Sequence, residues 1–200
     1  MIKIADAFRN GKAFIPFITC GDPDLETSEK LIRAAAENGA DRFISTCAEI
    51  GIDGLILPDL PYEEKEEFLP LCRQYGVDLI SLIAPTSEDR VAMIAREAEG
   101  FIYLVSSLGV TGTRSEITTD LAPIIRTIRE SSKVPVAIGF GISTPEQAKR
   151  MAALSDGAIV GSAIEKILAK SGRNAPEEIG RYVRSMKAAL EELSKDGEML

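Results

Sequence analysis

The sequence predicts an α/β fold built on a parallel sheet, and two patterns in its 200 residues carry that expectation. First, six short apolar runs recur along the chain: AFIPFIT (13–19), IDGLIL (52–57), VDLISLIA (77–84), GFIYLVS (100–106), VPVAIGF (134–140) and GAIVG (157–161). Near-continuous apolar runs of this length, several rich in β-branched residues, suit parallel strands buried on both faces. Second, the intervening segments place apolar residues at helical spacing with charges opposite. Connections of about two to six residues between the two kinds of segment imply βαβ units. No composition break marks a linker, so residues 1–200 are expected to form a single domain.

The helices follow in order. SEKLIRAAAEN (28–38) and EEKEEFLPLCRQY (63–75) are amphipathic. SEDRVAMIAREAEG (87–100) and DLAPIIRTIRESS (120–132) open on Ser87 and Asp120, good N-caps. TPEQAKRMAAL (144–154) has Thr144 as cap and Pro145 at the first helical position. A long helix is expected over 175–193, with a frayed tail SKDGEML. One place breaks the alternation: a helical run ending at Gly39 is followed by a second from about Arg42 to Ile50, before the strand at 52–57. RFIST (42–46) has strand-favouring residues, but Phe43, Cys47 and Ile50 at i, i+4 and i+7 favour helix.

Composition excludes several functions. A net charge of −8 argues against nucleic-acid binding, while a local site for an anionic substrate stays open. There is no histidine, so acid–base chemistry near neutral pH falls to carboxylates, Lys, Tyr or Cys. Cys20, Cys47 and Cys72 are widely spaced without a C-x-x-C pair, which argues for reduced thiols rather than a metal or disulfide framework. No apolar run is long enough for a membrane span and no signal peptide is evident, so a cytoplasmic chain without membrane contact is expected.

In parallel α/β folds ligands bind at the carboxyl ends of the strands. GFGIS (139–143) and GSAIEKI (161–167) follow successive strands there, each opening a helix. Glycine turns at helix starts present free N–H groups and positive dipole ends, which suits a phosphate; tight turns alone are the plainer reading. SSLGVTGTRSEIT (106–118) is long, polar and glycine-containing, as a closing lid would be, or as a surface loop. Asp59 sits between two prolines just past a strand and suits a turn or a ligand-facing carboxylate.

Six ordered stretches, FIPFITCGDPD, DGLILPDLPYEE, LIAPTSEDR, IYLVSSLGVTGTR, VPVAIGFGIS and DGAIVGSAIEKI, together resemble the tryptophan synthase α subunit. The resemblance implies a TIM-barrel-type (βα) fold and retro-aldol cleavage of indole-3-glycerol phosphate to indole and glyceraldehyde 3-phosphate. It implies no cofactor and no metal on this chain, and a PLP-dependent β subunit as partner. Carried over by position, Gly112, Gly141, Gly161 and Ser162 would hold the substrate phosphate, with Ile142 lining that end. Thr111 would act on the lid, Phe17, Leu57 and Tyr103 would line the indole pocket, and Asp59 would face the partner.

The family's catalytic glutamate and aspartate, at the end of the second strand and in the loop after it, have no counterpart here. The wording runs from ENGAD directly into RFISTCAEIGIDGL, so the second strand, second helix and third strand are absent at a seam between Asp41 and Arg42. Length agrees, since a barrel of about 250 residues leaves this chain room for about six strands. Glu49 is no substitute, because it ends a helix just before a strand, on the opposite face of the sheet. Impaired catalysis is therefore expected, with an engineered, non-catalytic scaffold keeping weak phosphate binding as the alternative. Two exposed sheet edges are expected to favour self-association.

Overall fold

The computed structural model describes residues 8–9, 11–16, 44–45, 47–49, 51–58, 60–106, 120–139, 141–172 and 175–197. Phe17, Asp59, Thr111, Gly112, the Asp41–Arg42 junction, the helix expected over 28–38 and the body of the 106–118 loop lie outside them.

The strands fall inside the six apolar runs: β1 (Ala13–Pro16), β2 (Gly54–Leu55), β3 (Asp78–Leu79), β4 (Ser81–Ile83), β5 (Ile102–Val105), β6 (Val136–Gly139) and β7 (Gly157–Val160). β3 and β4 are two parts of one run, separated at Ile80. Five strands pair in the order β1-β7-β6-β5-β4, and β2 pairs with β3. Every pairing is parallel. The Ile80 N–H donates to the Leu55 carbonyl at 2.9 Å, extending the β2–β3 ladder along the 77–84 run.

Period-two alternation separates two apolar layers. Ile80, Phe101, Ala137 and Ile159 form one buried cluster, with Phe8, Ile15, Ile56 and Tyr103 packed against it. Each of the six apolar runs contributes to that cluster and no α-helix does. The alternate residues, such as Ile102, Leu104, Val136 and Ile138, instead pack with helical residues including Val91, Ile94, Ile125 and Ile128. In a doubly wound sheet, helices would cover both faces; strands surrounding their own side chains, with helices outside, are barrel architecture. Phe8 stacks on Phe101 at the N-terminal end, ring centroids 5.9 Å apart.

The helices are α1 (residues 44–45 and 47–49), α2 (Leu69–Tyr75), α3 (Glu88–Arg96), α4 (Ala122–Ser131), α5 (Pro145–Leu154), α6 (Ser162–Ser171) and α7 (Ala175–Gly197). Residues 44–45 and 47–49, the described part of the run around RFIST, are helix rather than strand. Ile44 of α1 packs with Leu69 and Cys72 of α2 and with Leu79, covering the outer side of β2 and β3.

Four expectations shift. The helix expected over 63–75 divides into a 3-10 segment, Tyr62–Glu67, and α2. Pro70 at the start of α2 has no N–H to bond one turn back, and its ring crowds the carbonyl there, so the preceding turn tightens. The N-cap of α4 is Leu121 rather than Asp120, although the Asp120 carboxylate still accepts the Ala122 N–H at 3.1 Å. Ser87 occupies the cap position of α3 without a side-chain hydrogen bond, and Glu88 and Asp89 meet the dipole instead. Finally, α7 continues to Gly197, through residues expected to fray.

Candidate functional site

β6 and β7 are neighbours in register, with Ala137 opposite Gly157 and Ile138 opposite Ala158. Their carboxyl ends therefore deliver the 141–144 loop and Gly161 to the same rim. Gly141 is buried with φ of 78°, a left-handed conformation that a side chain would strain.

The two helix starts at this rim differ in chemistry. α5 is closed by a capping box: the Thr144 hydroxyl oxygen accepts the Gln147 N–H at 3.3 Å. In return the Gln147 side-chain oxygen accepts the N–H of Ser143 at 2.8 Å and of Thr144 at 3.2 Å, and the Ser143 hydroxyl at 3.1 Å. The N–H groups of Ser143 and Thr144 are thus taken up within the chain, and Thr144 is the cap that the sequence predicts. α6 is different: its N-cap is Gly161 and it has no side-chain cap. The Gly161 carbonyl accepts Ile164 N–H at 2.8 Å and Glu165 N–H at 3.1 Å, which starts the helix directly off β7. The N–H groups of Ser162 and Ala163, in the first turn, have no intrahelical acceptor and lie at the positive end of the dipole. This rim can accept an oxyanion at the start of α6.

Tyr103 reaches the same region from β5. Its ring lies against Gly139, at the end of β6, so closely that a methyl group there would stand 2.3 Å from a ring carbon. Burial pushes its phenol up to about 12. Burial likewise raises the Cys72 thiol to about 11. Neither is a base near neutral pH. Among the described residues the buried polar side chains are Ser106, Gln147 and Ser155, and no Asp or Glu is buried. Among the described residues no cluster of three His, Cys, Asp or Glu could hold a metal.

The side chains of Ile142 and Leu57, both expected to line the site, pack in the outer layer. Ile142 is 3% exposed and packs with Ala148, Met186 and Leu190 in the helix layer. Leu57 packs with the outer cluster of Ile44, Leu69 and Cys72. It also lines a cavity of about 540 Å³ with Pro58, Leu60, Leu82, Ala84 and Arg90, around the rim where the chain leaves β2 and β4. In IDGLIL and GAIVG the inward isoleucines are Ile56 and Ile159. Alternation in IDGLIL and GAIV was the signal for both, since Leu55 packs outward with Leu57 and Ala158 outward with Val160. Gln147 was missed as a loop anchor, although a Gln three residues after Thr144 is the capping-box spacing. Tyr103, Gly141, Gly161 and Ser162 lie on the expected strands or at their carboxyl ends.

No helix among the described residues is long and apolar enough to cross a membrane. Residues 36–195 match the family profile described as tryptophan synthase alpha chain. A tryptophan synthase alpha chain of Lacticaseibacillus casei is 36% identical over 256 aligned positions, covering 96% of each chain. That alignment is longer than the 200-residue chain itself, so the relative carries sequence that this chain lacks. The tryptophan synthase alpha subunit of Campylobacter jejuni superposes with a TM-score of 0.70 at 24% identity, over 96% of this chain and 99% of that one. A chain from the Pyrococcus furiosus tryptophan synthase a2b2 complex superposes with a TM-score of 0.68 at 29% identity, over 92% of this chain and 71% of its own.

Proposed function

Because the chain belongs to the tryptophan synthase alpha chain family, we propose that it is a shortened, single-domain form of that lyase, which keeps the phosphate-binding end and lacks the acid–base pair. The observation that carries this reading is the open start of α6 at Gly161–Ser162, at the carboxyl end of β7 next to the strand that leads to Gly141. The site takes the phosphate of indole-3-glycerol phosphate or of glycerol phosphate there. By family position Gly112 would hold the same phosphate, Thr111 would act on the lid, and Phe17, Leu57 and Tyr103 would line the indole side.

Cleavage itself needs two proton transfers. Protonating indole C3 makes the ring an electron sink, and removing the hydroxyl proton lets the C–C bond break. Each such group contributes roughly 10²–10⁴-fold, so losing both across the Asp41–Arg42 seam lowers turnover by several powers of ten. The 256-position alignment of a 200-residue chain supports a lost internal segment. The competing reading, an engineered scaffold that binds phosphate without turnover, is favoured by the absence of a buried carboxylate among the described residues.

Two measurements separate these. Indole release from indole-3-glycerol phosphate above the no-protein rate eliminates the scaffold reading. Amide shifts at Gly141 and Gly161 with millimolar glycerol 3-phosphate support the phosphate site, and unshifted amides reject it. Asp59 would meet a β subunit, as in the a2b2 assembly named for the Pyrococcus relative. Among the described residues β1 and β2 end the pairing order, and self-association through those edges predicts a mass above monomer by light scattering at micromolar concentration. A cytoplasmic location accords with this reaction.

A further inference from the structure

Ser143 is the residue through which the rim loop is held from two sides. From α5, the Gln147 side-chain oxygen accepts both its N–H and its hydroxyl. From α7, the Tyr182 hydroxyl donates to its carbonyl at 2.9 Å. The preceding residue, Ile142, is buried in the cluster that contains Met186 and Leu190 of α7, and Tyr182 packs on the same cluster. The C-terminal helix thus grips the loop twice, once by an apolar side chain and once by a hydroxyl. The apolar grip fixes where the loop lies. The hydroxyl fixes how the 143–144 peptide plane is turned, because a planar peptide moves its carbonyl and its N–H together.

We infer that Tyr182 is a positioning residue for the phosphate rim: through the Ser143 carbonyl it holds the Gly141–Ile142 backbone where it can face one phosphate together with Gly161 and Ser162. The inference rests on the phosphate reading proposed above. The ring and the hydroxyl have separable tasks, since phenylalanine would fill the same space and drop only the tether. Burial pushes the Tyr182 phenol up to about 12, so the hydroxyl remains a donor throughout the neutral range. Tyr182 lies 39 residues from Ser143 in sequence, on the helix that closes the described chain.

The experiment compares the full wild-type chain with Tyr182→Phe and Tyr182→Leu, using sn-glycerol 3-phosphate as probe and the backbone amides as reporters. In Tyr182→Phe the affinity falls about three- to tenfold, the worth of one hydrogen bond. The free variant shows faster exchange at Ser143 with an unchanged Gly161 amide, and its Tm moves by no more than about 4 °C. Tyr182→Leu lowers Tm further but weakens the ligand no more than Tyr182→Phe does, a pattern that loss of packing alone would not produce. Wild-type affinity in Tyr182→Phe, with unchanged exchange at Ser143, overturns the inference while leaving the phosphate reading intact. A wild-type chain whose Gly141 and Gly161 amides ignore millimolar ligand overturns the phosphate reading, and the inference falls with it.

Discussion

Gly139 of β6 lies against the ring of Tyr103 of β5: a methyl group at 139 would stand 2.3 Å from Cε2, 2.5 Å from the hydroxyl oxygen and 2.6 Å from Cζ of that ring. Both residues point into the barrel from adjacent strands, in a ladder that pairs Val105 with Gly139 and Tyr103 with Ala137. Small residues on β6 make the room that the large residue on β5 occupies. Gly139→Ala must push the ring aside, at a cost of about 1–3 kcal/mol for overpacking. Urea unfolding measures it. Combining Gly139→Ala with Tyr103→Leu removes the clash, so the double variant should be more stable than the two single losses added together; simple additivity would show that no contact is shared.

The rim loop depends more on Gln147 than on Thr144. Thr144→Ala removes one cap acceptor and should cost about 1 kcal/mol. Gln147→Ala removes the acceptor for two backbone N–H groups and one hydroxyl, with Gln147 itself only 5% exposed. Leaving such donors part-buried without a partner costs about 1–3 kcal/mol. Thermal or urea denaturation of the two variants should rank Gln147→Ala as the more damaging, and the reverse order would mean that water replaces the side-chain oxygen at no cost.

The strands were legible because each is a short apolar run whose burial on both faces leaves a continuous signature, and all seven strand segments fall within the six runs. The barrel was not legible from the same runs, since a run buried on both faces conceals which face meets helices. Only the convergence of Ile15, Ile56, Ile80, Phe101, Ala137 and Ile159 on one cluster distinguishes the inner face. The same runs do not show that the side chains of Leu57 and Ile142 turn to the outer layer. Gly141 and Gly161 follow strand ends, which are legible from the runs alone. The contact of Tyr182 with Ser143 spans 39 residues and leaves no local trace in the sequence.

The thiols provide a probe of the α1–α2 layer. Cys47 is 1% exposed and Cys72 is fully buried, and burial is the first cause of the rise of Cys72 to about 11. At pH 8 only about a thousandth of such a thiol is ionised, and the thiolate is the reactive form. In a Cys20→Ser background the native chain should leave both thiols unmodified by a disulfide reagent over minutes, and denaturant should expose both. Rapid native labelling of Cys72 would show that α1 and α2 open readily from β2 and β3.

Charge ties hold the 3-10 segment to α3 and its C-cap, and their acid response has a definite sign. Arg90 donates to both Glu63 oxygens, at 2.7 and 3.2 Å, and this contact is the chief cause holding the Glu63 carboxyl below its usual range. Lys65, which lies 4.3 Å over the Tyr62 ring, pairs with Glu97 and lowers its carboxyl in the same way, with Tyr62 adding a second hydrogen bond. Arg73 beside Glu99 contributes positive charge nearby. A carboxylate depressed in the folded state contributes stability above its unfolded value and loses it as pH falls through the lower, folded value. All these groups are exposed at least in part, so the effect is local and weakened by salt. Lowering the pH from about 5 to about 3 should therefore lower the amide protection over 62–67, relative to the intrinsic exchange rate at each pH, before the barrel strands respond. Arg90→Ala should raise the Glu63 carboxyl toward the ordinary glutamate range, as followed by NMR titration. If Glu63 already titrates there in the unaltered chain, Arg90 does not hold the segment that lines the 540 Å³ cavity.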